Sequence, residues 1–151
     1  MKLNQLIGLT IVCLLTAITS FAQNTEQNTE VVTQEYPMSD IEKSALAAAR
    51  LQLEGYNNRD IELFLSAYAD TVKVFRFPAI LNYQGKEEMR TRYSGMFDRT
   101  PLLHCHIVSE TVKGNKVIHE ERVQRDDSAN RSHAVAIYVV DGGKITEVYF
   151  L

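Results

Sequence analysis

Four histidines and a pair of adjacent acids lie on stretches where residue character changes at every second position: His104-Cys105-His106, His119-Glu120-Glu121 and His133. Strand residues two apart point the same way. The simplest hairpin registers therefore put His104, His106, His119, Glu121 and His133, which include every histidine of the chain, on one face of a sheet. Such a group can work as an acid–base cluster, or hold an ion, since His-x-His on a strand presents two imidazoles together. The plainer reading is a polar patch on an outer face or a contact between subunits, and neither a metal nor another cofactor is expected. The same registers place Glu120 and Arg122 together on the opposite face, beside Ala136. Turned inward, that pair would orient a polar ligand; at a rim it would be an exposed ion pair contributing under about 1 kcal/mol. The candidate acid–base residues are Glu120, Glu121 and His104. Arg76, flanked by Val74, Phe75 and Phe77, is a candidate for holding a carboxylate at a pocket mouth. Tyr56, Tyr68, Tyr93, Phe97 and Tyr138, with Arg76 and Arg122, complete the candidate ligand contacts, although aromatic stripes at helical spacing also serve as core.

The elements that must position these residues are well marked. Ser39-Asp40-Ile41-Glu42 is a capping box. Ile41, Leu46, Ala49, Leu53 and Tyr56 then recur at helical spacing. Asn57-Asn58 ends that helix, and Asp60 caps a short second one carrying Ile61, Phe64, Leu65 and Tyr68. A strand over 72–77 stops at Pro78, and an extended piece follows around 80–83. Gly85 then leads into a third helix with Met89, Tyr93, Met96 and Phe97 on its buried stripe. Beyond Pro101 the runs 102–112, 116–125, 132–140 and 144–150 are separated by turn sequences, which predicts an antiparallel meander. Helices first and hairpins last define an α+β domain.

At 151 residues there is room for one such domain, assigned to residues 38–151. Lys2, the apolar run from Leu6 to Ile18 and Ser20-Phe21-Ala22 read as a signal peptide over 1–22, which predicts periplasmic or secreted localisation. Its apolar run is too short to stay as a comfortable membrane span, so no membrane contact is expected after cleavage. Residues 23–37 repeat Gln-Asn-Thr-Glu in tandem and read as a disordered tether. Cleavage removes one lysine and no acid, taking the formal charge from −3 to −4, which argues against nucleic acid as a partner. Cys105 is then the only cysteine, so no intramolecular disulfide forms and the thiol reads as buried.

Several local phrases resemble the SnoaL-like branch of the nuclear transport factor 2 superfamily, which also includes ketosteroid isomerases, limonene epoxide hydrolases and scytalone dehydratases. They are Tyr56-Asn57-Asn58-Arg59-Asp60-Ile61-Glu62, Tyr68-Ala69-Asp70, Gly85-Lys86-Glu87-Glu88-Met89, Ala136-Ile137-Tyr138 and Asp141-Gly142-Gly143-Lys144-Ile145. The resemblance implies a cone of three helices on a curved antiparallel sheet, an apolar cavity open at one end, and dimerisation through the outer face of the sheet. It puts Ala136 inward, so the histidines would face outward unless a β-bulge reverses them. It does not imply ketosteroid isomerisation, which needs a carboxylate base and two oxyanion donors. By alignment the base falls at Arg76 or Phe77, with no acid between Asp70 and Glu87, and the donors fall near Gln52 and near Ala136.

The expected function is the binding of a small, largely apolar molecule, with Glu120, Glu121 or a histidine available for acid–base catalysis. The alternative is a non-catalytic dimeric module whose pocket is filled by its own aromatic side chains. Homodimerisation is expected from apolar residues on both sheet faces. The simple register places Val117, Val123, Val135, Ile137, Val139 and Ile145 on one, and Ile118, Ala134, Ala136, Tyr138, Val148 and Phe150 on the other.

Overall fold

The first helix begins as the capping box dictates: the Ser39 hydroxyl accepts from the Glu42 N–H, and the Glu42 carboxylate accepts from the Ser39 N–H at 2.9 Å. A computed structural model describes residues 37–151. The signal segment and the tether, apart from residue 37, lie outside the described residues. Helix α1 (Asp40–Asn58) ends at Arg59, which turns left-handed at φ 55°. The Asp60 carboxylate accepts from the Glu62 and Leu63 N–H groups and opens α2 (Ile61–Ser66). Strands β1 (Tyr68–Arg76) and β2 (Ile80–Gln84) lead to α3 (Lys86–Arg99). Strands β3 (His104–Lys113), β4 (Lys116–Gln124), β5 (Ser132–Asp141) and β6 (Lys144–Phe150) complete the domain. Tyr68, expected on the second helix, is instead the first residue of β1. Among the described residues no helix is long and apolar enough to cross a membrane.

The sheet is six-stranded and unclosed, in the order β2-β1-β6-β5-β4-β3. Its last four strands form the expected antiparallel meander, while β1 runs parallel to β6. The buried face of α1 is Ala45, Ala48, Ala49, Gln52 and Gly55, whereas Ile41, from the expected stripe, is 62% exposed. Small side chains allow the close approaches this helix makes. A Cβ at Gly55 would lie 2.2 Å from the Phe64 backbone nitrogen, so only glycine lets α2 cross there. Asn57 ties the end of α1 to β3: its Nδ2 donates to the Cys105 carbonyl at 3.1 Å, and its Oδ1 accepts from the Cys105 N–H at 2.7 Å.

Register decides which side chains meet the helices, and it differs from the simple one. On the turn side of the β3–β4 ladder, Glu110 pairs with His119. A bulge at Val108 then shifts the ladder, so that Ile107 pairs with Glu121 and Cys105 with Val123. The extra residue turns Cys105 inward, and His104 and His106 outward. Across β4 and β5, His119 pairs with Ala136 and Glu121 with Ala134. The inner face thus carries Val117, His119, Glu121 and Val123 beside Ala136 and Tyr138, all buried. Three expectations are corrected by this parity. The histidines do not share a face, Glu120 and Arg122 lie outward rather than beside Ala136, and His133 is exposed with them. The two apolar sets are also redistributed: the inner one includes Val117, Val123, Ile145 and Val148, while Ile118, Val135, Ile137 and Val139 face out.

Candidate functional site

Between the helices and the inner face of the sheet lies a cavity of ≈ 340 Å³. Its walls are aromatic because three elements bring rings to one place. Tyr56 comes from the end of α1, Phe64 from α2 and Tyr93 from α3, with the Phe64 and Tyr93 rings 4.5 Å apart. The floor is polar and comes from strand residues that alternate inward: Glu121 on β4, Tyr138 on β5 and Tyr68 on β1. Gln52 joins them from the small-residue face of α1.

These floor groups form a continuous hydrogen-bonded chain. The Tyr68 hydroxyl donates to Gln52 Oε1 at 3.3 Å, Gln52 Nε2 donates to the Tyr138 hydroxyl at 3.1 Å, and Tyr138 donates to Glu121 Oε1 at 2.9 Å. All four side chains are buried, which makes each bond costly to break. Burial pushes the Glu121 carboxyl above its ordinary range, opposed by the hydrogen bonds from Tyr138 and Cys105. A carboxyl so placed sits nearer neutrality than a surface one and can take up or release a proton there. The Cys105 thiol is pushed up to about 12 by burial and by Glu121, so it stays a thiol beside that carboxylate. Burial also raises the Tyr68 and Tyr138 hydroxyls well above the usual phenol range, leaving both as neutral donors.

Behind Glu121 stands His119, fully buried, with Nε2 3.0 Å from Glu110 Oε2. Arg50 on α1 in turn pairs with Glu110 Oε1 at 2.9 Å. Partial burial raises the Glu110 pKa, but the bonds from Arg50 and His119 outweigh it and hold the carboxyl low. Burial lowers His119, with Glu110 opposing. The imidazole is therefore assigned as neutral, with its proton on Nε2 donated to Glu110. Its Nδ1 has no hydrogen-bond partner among the described residues and lies 3.9 Å from Glu121 Oε1.

Of the residues singled out from sequence, Tyr56, Tyr68, Tyr93, Tyr138 and Glu121 line the cavity. Phe97 is buried behind the wall, its ring 5.7 Å from those of Tyr56 and Phe64, and does not line the cavity. Arg76, the last residue of β1, is exposed and does not line the cavity. Glu120, Arg122 and His104 are excluded by the register: Glu120 accepts from Ser109 Oγ at 3.3 Å on the outer face, and the His104 ring lies 4.4 Å from that of His106. Among the described residues no three His, Cys, Asp or Glu side chains come together as metal ligands would. Sequence reasoning gave no ligand role to Gln52 or Cys105, and none to the mouth residues Arg92 and Arg125. The signal for the inward parity was present in Val117 and Val123, which bracket His119 and Glu121 on one alternating set.

The SnoaL-like domain model matches residues 49–148. Among solved structures, a cystatin-fold protein from Novosphingobium aromaticivorans is 26% identical, with a TM-score of 0.65, and the match covers 76% of this chain and 99% of that one. A SnoaL-like protein of unknown function from Burkholderia thailandensis is 17% identical, with a TM-score of 0.61 and coverages of 77% and 98%. An epoxide hydrolase of the limonene epoxide hydrolase-like type from Mycobacterium tuberculosis is also 17% identical, with a TM-score of 0.61 and coverages of 75% and 81%. The last two likenesses carry the fold alone. No curated protein sequence matches the chain.

Proposed function

The chain belongs to the SnoaL-like domain family, and on that premise we propose that its cone binds a small, largely apolar molecule and exchanges a proton with it through Glu121. The observation that carries the reading is a carboxyl group, 6% exposed, on the floor of a cavity of ≈ 340 Å³ walled by aromatic rings. A filled core would leave no such space, and a cavity meant only for packing would have no reason to bury an acid. Fold likeness does not supply the chemistry. What supports it is the arrangement: Glu121 as acid or base, Tyr138 as hydrogen-bond donor to its carboxylate, and His119 with Glu110 holding position behind it.

A general base in an apolar cavity can be tested without the natural ligand. 5-Nitrobenzisoxazole opens when a base removes its ring C–H proton; the electron pair forms a nitrile as the N–O bond breaks to a phenolate. Saturable turnover is expected, rising with pH as Glu121 ionises and falling about 100-fold or more in Glu121→Gln. Wild-type protein no faster than the same concentration of acetate, or a Glu121→Gln variant of full activity, would leave only the non-catalytic module.

The proposal extends to address and assembly. Export rests on Lys2, the apolar run and the small residues before Gln23, and N-terminal sequencing of envelope protein tests it. A homodimer rests on Ile118, Val135, Ile137 and Val139, which lie on the sheet face opposite the helices.

A further inference from the structure

Two cations stand at the opening of the cavity, and the proton-transfer chemistry of the floor makes no use of either. Arg92 on α3 and Arg125, just past the end of β4, both line it, and both are exposed while the floor groups are buried. Glu121 is the only carboxylate among the described lining residues, and it is buried where the two arginines are exposed. Arg92 is held in place from two sides. Its guanidinium lies 4.6 Å over the Tyr83 ring, and its Nε donates to Glu88 at 2.8 Å, which leaves its other nitrogens available. Arg125 donates to Ser132 Oγ across the β4–β5 connection. Both charges act on one wall residue: burial pushes the Tyr93 hydroxyl up and Glu121 adds to the rise, while the bond with Tyr83, then Arg125 and Arg92, oppose it. Asn82, on β2, adds a polar side chain to the same lining.

We infer that the ligand of this cavity is an amphipathic carboxylate. Its apolar body of one or two rings lies against Tyr56, Phe64 and Tyr93, and its anionic head sits at the mouth between Arg92 and Arg125. This rests on the binding reading proposed above and names the class of molecule bound. The planar guanidinium fork matches a carboxylate in shape and charge. The volume is near the small end of the ~300–1,000 Å³ usual for ligand pockets, which suits a body of that size. The chain as a whole is acidic, with a formal charge of −3, so attraction of an anion must come from a local field such as these two side chains make. A head fixed at the mouth leaves the opposite end of the body against the Glu121 carboxyl. The site then reads as one that anchors an acid by its charge and works on its distal end.

The test is a matched pair of probes in calorimetric titration: 2-naphthoate and its neutral counterpart naphthalene-2-methanol. The carboxylate is expected to bind about tenfold more tightly at low salt, and added salt is expected to narrow the gap. Arg125→Gln alone should lose at least threefold for the carboxylate, and Arg92→Gln with Arg125→Gln should abolish the preference by weakening the carboxylate more than the alcohol. Arg122→Gln removes a like charge from the outer face of β4 and should alter neither affinity. Equal binding of the two probes by wild-type protein would overturn the anion assignment while leaving the cavity reading intact. So would a loss in Arg122→Gln as large as that in the double variant, because the preference would then come from general charge. Failure of both probes to bind would overturn the assignment together with the reading beneath it.

Discussion

Tyr138→Phe removes one oxygen and tests whether the floor of the cavity is held by a buried chain of hydrogen bonds. That oxygen donates to Glu121 at 2.9 Å and accepts from Gln52 at 3.1 Å, between side chains that are 6% and 4% exposed. Losing a bond to an ionised carboxylate costs about 1.5–3 kcal/mol, and stranding the Gln52 N–H adds up to about 1–3 kcal/mol. Both effects belong to one hydroxyl, and water from the adjoining cavity can offset the second, so about 2–4 kcal/mol is expected in sum. For a domain of this size that corresponds to a fall in Tm of about 10 °C. The loss should depend on pH. At alkaline pH the carboxylate loses its donor, whereas at acid pH a protonated Glu121 loses less, so the cost should shrink as pH falls through the raised Glu121 pKa. Urea unfolding at pH 8 and near pH 4 measures both numbers. Tyr149→Phe is the control, since its hydroxyl donates to Glu147 at 2.7 Å on the outer face, and about 1 kcal/mol or less is expected. A Tyr138→Phe variant that costs no more than Tyr149→Phe, or the same at both pH values, would show that no such buried chain holds the floor.

Four further outcomes are expected. Burial makes folded Glu121 hold its proton more tightly than the unfolded chain does, so wild-type stability should decline as pH rises from the ordinary carboxyl range through the folded pKa. Glu121→Gln cannot titrate, so its advantage over wild type in urea unfolding should grow across that window and then level off; a constant difference would contradict the burial argument. Gly55→Ala should cost about 2–3 kcal/mol or more, because its Cβ would overlap the Phe64 backbone, and a variant of unchanged Tm would mean that α1 and α2 are not so close. Cys105, 5% exposed on the cavity lining and with its thiol pushed up to about 12, should react with a bulky thiol reagent far more slowly than an exposed thiol does; labelling of native protein within seconds would refute its burial. Ile137→Asp on the outer face should convert a dimer to a monomer in light scattering, and a wild-type monomer at micromolar concentration would remove the proposed interface.

The helix caps, the turn sequences and the meander were legible in the sequence because each rests on neighbours a few residues apart. Ser39 with Glu42, Asp60 with Leu63, and the glycines between the last strands all act locally. The site was harder to read because it depends on parity between strands. One extra residue at Val108 moves His104 and His106 to the outer face, and the length of the β4–β5 connection fixes whether Ala136 meets His119 or its neighbour. Neither is set by alternation within a strand, so Glu121 was paired with the wrong companions. Val117 and Val123 carry the correct parity, since an apolar pair flanking His119 and Glu121 implies that the whole set turns inward. Gln52 and the mouth arginines left no local pattern at all. Their roles arise only when α1, α3 and the end of β4 are brought around one space.

The carboxyl carbon of Glu121, followed by ¹³C NMR from acid to alkaline pH with and without naphthalene-2-methanol, tests most directly whether this cavity is a binding site with a proton-exchanging floor. Titration above the ordinary 4.5 is expected, with a further displacement when the probe fills the cavity and loss of that probe effect in Ala134→Trp, which closes the space from β5. A Glu121 that titrates in the ordinary range and does not respond to the probe would contradict it.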